Sequence, residues 1–307
     1  MALRLDDRWV WDFWVADTGS EFHCFFLQAP RSLQDPDCRH EHATVGHAIS
    51  VDLRTWDVVE DALVPGPKGA WDDRAIWTGS VVNSDGRWHM LYTGTSTADG
   101  GVVQRIGLAT STDLRSWSRH PGNPVIEADE RWYERLDPTV WPHEAWRDPW
   151  VFADETGMGW HALITARGSS GPTSERGVIG HARSIDLAKW TVEPPLATPG
   201  RFHHLEVPQT TRIGDRWYLL FSVDHEGGGR TYACSAASPL GPFDIAGAMP
   251  LGGTLLYSGR VVNARDGQPQ LLAFLNSRAD GTFVGELSDP MAIEVDGQGR
   301  LSANGTR

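Results

Sequence analysis

Cysteine is scarce in this chain: three residues, Cys24, Cys38 and Cys234, among 307. The number is odd, and no pair has the spacing of a metal-ligand set. A disulfide framework is not expected, and Cys24 and Cys234, set in apolar strand-like runs, read as buried thiols. Positive charge is also short. Twenty-seven Lys and Arg stand against 40 Asp and Glu, a formal charge of −13. Such a surface repels phosphate backbones and anionic lipid, so neither nucleic acid nor a membrane is an expected partner. No apolar run reaches the roughly eighteen residues needed to cross a bilayer as a helix. The opening Met1-Ala2-Leu3-Arg4-Leu5-Asp6-Asp7 carries charge at once and lacks the apolar centre of a secretory leader, which makes the cytoplasm the expected location. Heptads, low-complexity tracts and linkers are missing, and little of the chain reads as helix.

Tryptophan is abundant, at 15 residues. It favours strands and packing, and its flat face also suits sugars. Beyond composition, one kind of run keeps returning: Phe22-His-Cys-Phe-Phe-Leu-Gln28, Trp88-His-Met-Leu-Tyr-Thr-Gly94, Trp160-His-Ala-Leu-Ile-Thr-Ala166, Trp217-Tyr-Leu-Leu-Phe-Ser222 and Gln270-Leu-Leu-Ala-Phe-Leu275. The interval is about sixty residues, and each run reads as a buried strand. A second signature trails the first: Ser50-Val-Asp-Leu-Arg-Thr-Trp56, Ser111-Thr-Asp-Leu-Arg-Ser-Trp117 and Ser184-Ile-Asp-Leu-Ala-Lys-Trp190, with weaker echoes at Ser238–Phe243 and Ser288–Pro290. It reads as a strand ending in a Ser/Asp turn, followed by an aromatic that packs between units. Two signatures in phase, five times over, predict an all-β, five-bladed β-propeller formed by residues 1–307 as a single domain. A WD40 array is the competing propeller, but its repeat of about 40–45 residues is too short, and Gly46-His47 lies too close to Trp56-Asp57. The fifth unit, with its degraded second signature, is expected to close the ring more than to catalyse.

A propeller gathers the first strands of all its blades around one axis, so functional residues should come from several blades. Three acids stand in aromatic or apolar strand contexts, where an ion is costly unless it is paired or used. Asp12 lies in Trp9-Val-Trp-Asp-Phe-Trp-Val15, Asp148 in Trp146-Arg-Asp-Pro-Trp-Val-Phe152, and Glu206 in Phe202-His-His-Leu-Glu-Val-Pro-Gln209. Each has a plain structural alternative: a solvated strand end for Asp12, an ion pair with Arg147 for Asp148. Strand alternation argues against the Arg147–Asp148 pair, and against His203 and His204 meeting at a metal, since neighbours point to opposite faces. Three acids converging on one funnel suit glycosidic-bond chemistry, which needs one carboxyl group as proton donor and another as nucleophile or base.

These stretches resemble glycoside hydrolase families 32 and 68, the β-fructofuranosidase and fructosyltransferase clan. Trp11-Asp12-Phe13-Trp14 is similar to the Trp-Asp-Ser-Trp nucleophile motif of family 68. His23–Gln28 with Pro30, Gly46–Trp56 with Ala62–Pro65, Trp77-Thr-Gly-Ser80, Leu91–Gly94, Arg147-Asp-Pro149 and Leu205-Glu-Val-Pro208 follow in the order of the family 32 motifs. The resemblance covers nearly the whole chain. It implies a five-bladed propeller and a retaining mechanism. Asp12 would attack the anomeric carbon of a fructofuranosyl unit, and Glu206 would act as acid and then base. Asp148 would stabilise the oxocarbenium-like transition state with help from Arg147, and Trp11, Gln28, Trp77 and Ser80 would line the sugar pocket. No metal or organic cofactor is implied, and the partner is a small soluble carbohydrate. Departures exist: Phe13-Trp14 follows Asp12 where family 32 reads Asn-Asp-Pro-Asn-Gly, and no C-terminal β-sandwich is expected after the fifth blade. Burial between Leu205 and Val207 is expected to raise Glu206, while donors keep Asp12 ionised. Two alternatives remain open: an inverting arabinofuranosidase or xylosidase of the family 43 type, and a sugar-binding propeller without turnover. A carboxyl separation of roughly 5–5.5 Å would mark retention, and roughly 6.5–9.5 Å inversion.

Overall fold

The five recurrent apolar runs each form the second strand of a separate antiparallel sheet. The computed structural model describes residues 3–197, 200–224 and 229–304; Met1 and Ala2, the start of the stretch read for a leader, lie outside the described residues. The first sheet holds β1 (Arg8–Asp17), β2 (Phe22–Pro30), β3 (Thr44–Ser50) and β4 (Asp57–Val58). The second holds β5 (Ala75–Ser84), β6 (Arg87–Thr95), β7 (Arg105–Ser111) and β8 (Ser118–Arg119). The third holds β9 (Trp146–Ala153), β10 (Trp160–Arg167), β11 (Gly177–Ser184) and β12 (Trp190–Glu193). The fourth holds β13 (Glu206–Ile213), β14 (Arg216–Val223), β15 (Arg230–Ala236) and β16 (Met249–Pro250). In the fifth, β17 (Leu256–Asn263) pairs with β18 (Pro269–Ser277), which pairs with both β19 (Phe283–Leu287) and β20 (Met291–Val295), and β21 (Leu301–Asn304) closes the outer edge.

The first strands touch in sequence, β1 to β5, β5 to β9, β9 to β13, β13 to β17, and β17 back to β1. The molecule is the five-bladed β-propeller that the repeats predict. Helix is confined, among the described residues, to four short 3-10 segments, of which Pro36–His42 is the longest.

The Ser/Asp signature proves to be one turn used three times. Asp52, Asp113 and Asp186 each accept the backbone N–H groups of the residues two and three positions on, at 2.8–3.0 Å. Leu53, Leu114 and Leu187 follow in the left-handed region at φ 62°, 62° and 64°. A leucine is uncommon there. Each is almost wholly buried, and that burial offsets the backbone strain. The aromatic after the turn packs across the seam, since Trp117 of the second blade meets Phe25 of the first edge-on, with centroids 5.6 Å apart. Trp11, Trp14 and Trp146 are among the largest fully buried side chains, as a packing role requires.

Candidate active site

Every first strand breaks register with its neighbour once. The breaks fall between Val10 and Phe13, between Trp77 and Gly79, opposite Leu163 and Thr165, between Glu206 and Gln209, and between Tyr257 and Arg260. Asp12, Thr78, Asp148, Val207 and Ser258 fall within them, one from each blade. Local sequence explains the breaks. Pro149 and Pro208 have no N–H to continue a ladder. At Gly79 an added Cβ would lie 2.2 Å from the Leu91 carbonyl oxygen, so only glycine lets the strands approach.

Three of the five residues are left-handed: Asp148 at φ 58°, Val207 at 51° and Ser258 at 51°. Each turns its N–H to a hydroxyl on the second strand of the preceding blade. Asp148 N–H donates to Thr93 Oγ1 at 3.0 Å, Val207 N–H to Thr165 Oγ1 at 3.2 Å, and Ser258 N–H to Ser222 Oγ at 2.8 Å. Thr93, Thr165 and Ser222 occupy the same place in the recurrent strand run. The repeat therefore carries its own device for pinning strained backbone at the axis.

On this frame the three acids meet. Thr78 and Ser258 each donate a hydroxyl to Asp12, to opposite oxygens, both at 2.5 Å. Asp148 accepts from the Thr165 hydroxyl at 2.8 Å and the Val207 N–H at 3.2 Å. Glu206 is gripped on one oxygen by Arg147 Nη2 and on the other by the Tyr257 hydroxyl. Arg147 also donates to Gln104 Oε1 at 2.9 Å and lies 3.6 Å from Asp148. Strand alternation had argued against that last contact. The left-handed turn at Asp148 breaks the alternation and puts both side chains on one side.

Burial dominates the charge states. It raises Asp12, against the two hydroxyls and Arg260, with the charge of Glu206 adding to the rise. Burial pushes Asp148 up to about 7, opposed by Arg147 and reinforced by Asp12 and Glu206. Glu206 is also desolvated, yet it ends below the usual carboxylate range, because Arg147 and Tyr257 outweigh burial. Both shifts thus run opposite to the expected directions, with Asp12 raised and Glu206 lowered. The cation and the phenol that lower Glu206 come from other blades.

The remaining expected pocket residues fall in three places. Trp11 is buried and meets His40 edge-on at 6.1 Å, while half-buried Trp77 meets the same ring at 6.0 Å and donates its indole N–H to the His40 carbonyl at 2.7 Å. Gln28 is buried and donates to Asp61 Oδ1 at 2.7 Å. Ser80 lies two residues beyond Thr78, and its hydroxyl accepts the Val151 N–H at 3.0 Å in the seam between β5 and β9. The hydroxyl that reaches the acids from this stretch is that of Thr78. Thr78, Tyr257 and Ser258 were missed by sequence reasoning. Their signal was the pattern aromatic–hydroxyl–Gly in Trp77-Thr-Gly79 and Tyr257-Ser-Gly259, at the position of Arg147-Asp-Pro149. The fifth unit, expected mainly to close the ring, supplies two of these three.

His203 and His204 precede β13 instead of lying on a strand, and their rings approach to 5.0 Å. Trp141 packs on both, with Arg167 3.9 Å above its ring. Among the described residues no group of three His, Cys, Asp or Glu is placed to hold a metal ion.

Comparison with known proteins adds an independent line. The family profile for the glycosyl hydrolases family 32 N-terminal domain matches residues 15–243. An insoluble-isoenzyme β-fructofuranosidase of Arabidopsis thaliana is 28% identical over 177 residues, covering 56% of this chain and 29% of that protein. The chain therefore spans under a third of that relative's length. An extracellular sucrase of Zymomonas mobilis is 25% identical and covers 98% of this chain and 82% of its own. The solved inulosucrase of Halalkalicoccus jeotgali, bound to kestose, superposes with a TM-score of 0.75 at 22% identity, covering 99% of this chain and 90% of that one. The structural likeness shows the shared fold.

Proposed function

The chain belongs to glycosyl hydrolase family 32, and from that premise we propose that it is a retaining β-fructofuranosidase acting on small soluble sugars such as sucrose or short fructo-oligosaccharides. The observation that carries the reading is the meeting of Asp12, Asp148 and Glu206, from three blades, at the axis, where Arg147 lies against both Asp148 and Glu206 and the charge of Glu206 acts on the other two acids.

Asp12 is the nucleophile, held by Thr78 and Ser258 so that its carboxylate is fixed before it attacks the anomeric carbon. Glu206 gives its proton to the departing oxygen and then takes one from water or from an acceptor hydroxyl, which gives hydrolysis or fructosyl transfer by the same chemistry. A sugar whose hydroxyls engage Arg147 and Tyr257 relieves Glu206 of the two donors that hold it ionised. That raises it toward the protonated form an acid needs. Asp148 stands beside Arg147, placed to bond ring hydroxyls and to offset the positive charge that grows on the ring. Cytoplasmic action belongs to the same proposal and draws on three free thiols, Cys24, Cys38 and Cys234; cell fractionation tests it.

The test is incubation with sucrose, 1-kestose and aryl arabinofuranosides, following the released sugar and its first-formed anomer. Fructose released with retention is expected. Arabinose without fructose, or inversion, would overturn the reading. Asp12→Ala should lower kcat by at least about a thousandfold while the folded far-ultraviolet spectrum persists.

A further inference from the structure

Beneath the acids lies a second layer. Two residues beyond the residue in each register break stand Trp14, Ser80, Trp150, Gln209 and Arg260. Four of these are apolar or neutral, and Arg260 is the one charge. It is 1% exposed. Its Nη1 donates to the Pro208 carbonyl at 2.6 Å, next to the Val207 that bonds Asp148. Its guanidinium carbon lies 5.0 Å from the ring centre of Trp150, two residues beyond Asp148. Its own strand carries Ser258, which bonds Asp12. Among the described residues, Nε and Nη2 have no hydrogen-bond partner. A buried guanidinium with two unmatched N–H groups is costly unless a strong opposing field offsets it.

The field has an identifiable source. Asp12 receives hydroxyl hydrogen bonds and, among the described residues, no ion pair, whereas Arg147 is committed to Glu206 and Gln104. The charged and titratable groups facing Asp12 are Glu206 on β13, Asp148 on β9, Tyr257 and Arg260 on β17, and Arg39 in the segment Pro36–His42. Those facing Asp148 are Arg147, Asp12, Glu206 and Arg260. Arg39 is turned partly away, with Nη1 donating to the Pro36 carbonyl at 2.8 Å and its guanidinium 4.2 Å above Phe283.

We infer that Arg260 is a positioning residue of the site: from the layer below, its guanidinium supplies the positive charge against which the carboxylates of Asp12 and Asp148 are arranged. It touches no substrate. It acts through Asp12, limiting the rise that burial and the neighbouring carboxylates impose on the nucleophile. The inference rests on the assignment of Asp12 as nucleophile for its kinetic consequence, but not for its electrostatic one.

The experiment uses the full chain and three variants, Arg260→Lys, Arg260→Met and Arg260→Gln; the last can still donate toward Pro208 without a charge. Two readouts are taken: the pH profile of kcat/KM on sucrose, and aspartate carboxylate titration by NMR with carbon-13 labelling. In the neutral variants the Asp12 and Asp148 resonances should titrate about one pH unit higher, and the acid limb of kcat/KM should move up by the same amount. KM should change less than twofold, and Arg260→Lys should restore the wild-type limb. A folded neutral variant with unmoved titrations overturns the inference. Should wild type release no fructose, the catalytic reading fails, while the titration still decides what Arg260 does.

Discussion

Asp12 and Glu206 are held in opposite ways, and each arrangement has a measurable consequence. Two hydroxyls at 2.5 Å stabilise the anionic form of Asp12. Thr78→Val removes one of them, so Asp12 rises further. The acid limb of kcat/KM should then shift to higher pH, with kcat at neutral pH lower by about ten- to a hundredfold, as a pH–rate series on sucrose would show. Tyr257→Phe removes a donor to ionised Glu206, which also rises. There the basic limb moves up, because the acid keeps its proton to higher pH. A Tyr257→Phe profile that moved only on the acid side would contradict the role given to Glu206. The acids themselves were legible in the sequence, because a carboxylate among tryptophans and phenylalanines has few inexpensive explanations. Their partners were not. A threonine or serine in a strand is ordinary, and nothing local says that Thr78 and Ser258, far apart in the chain, reach the same carboxylate.

The strands explain why one hydroxyl was misread. Within Trp77-Thr-Gly-Ser80 the two hydroxyls reach different blades, because the register break at Thr78 turns its hydroxyl to Asp12 on β1 while Ser80 meets the Val151 N–H on β9. Strand periodicity is visible in a sequence; a register break is not, because it depends on which partner strand the Gly or Pro faces. The same limit hid the Arg147–Asp148 contact, which regular alternation forbids and a left-handed turn allows. The repeat itself was legible, since apolar runs and Ser/Asp turns recur with their chemistry intact. The axial hydroxyls extend that repeat, and they can be tested as elements. Thr165→Val keeps the shape but removes one of the two acceptors of the buried Val207 N–H and a donor from Asp148. It should cost about 1–3 kcal/mol in urea unfolding, with an unchanged slope. Thr93→Val, which strands the Asp148 N–H, should cost a similar amount. Thr191→Val, on an exposed outer strand, should stay within about 0.5 kcal/mol.

Across the whole molecule, the acidic composition says little about how stability answers to pH, because that depends on which titratable groups are buried. Two blades carry the same imidazole pair: His23 with His47, and His161 with His181, each bonded at 3.0 Å. Burial pushes His47 down to about 3 and His181 down to about 4, and lowers His23 and His204 as well. A histidine lowered in the fold takes up fewer protons there than in the unfolded chain. Its contribution to stability is full above about pH 6.5 and is lost as pH falls toward the folded value. Asp148 opposes this. Raised to about 7, it keeps a proton in the fold that the unfolded chain releases above about 4, so it favours the fold as pH falls through that window. Asp12, also raised, acts in the same sense. His40, His89, His143 and His203 are lowered too, so eight imidazoles stand against two raised carboxyls, and stability should decline between pH 7 and pH 5, read as a falling urea midpoint. His47→Gln isolates one imidazole, since the amide can still meet His23 but cannot titrate. Its slope against pH should be shallower than wild type by up to about 1.4 kcal/mol per pH unit. An identical slope would mean that His47 is already protonated, or exposed, in the native state. Its complete burial and its stacking on Phe25 at 4.6 Å argue against both.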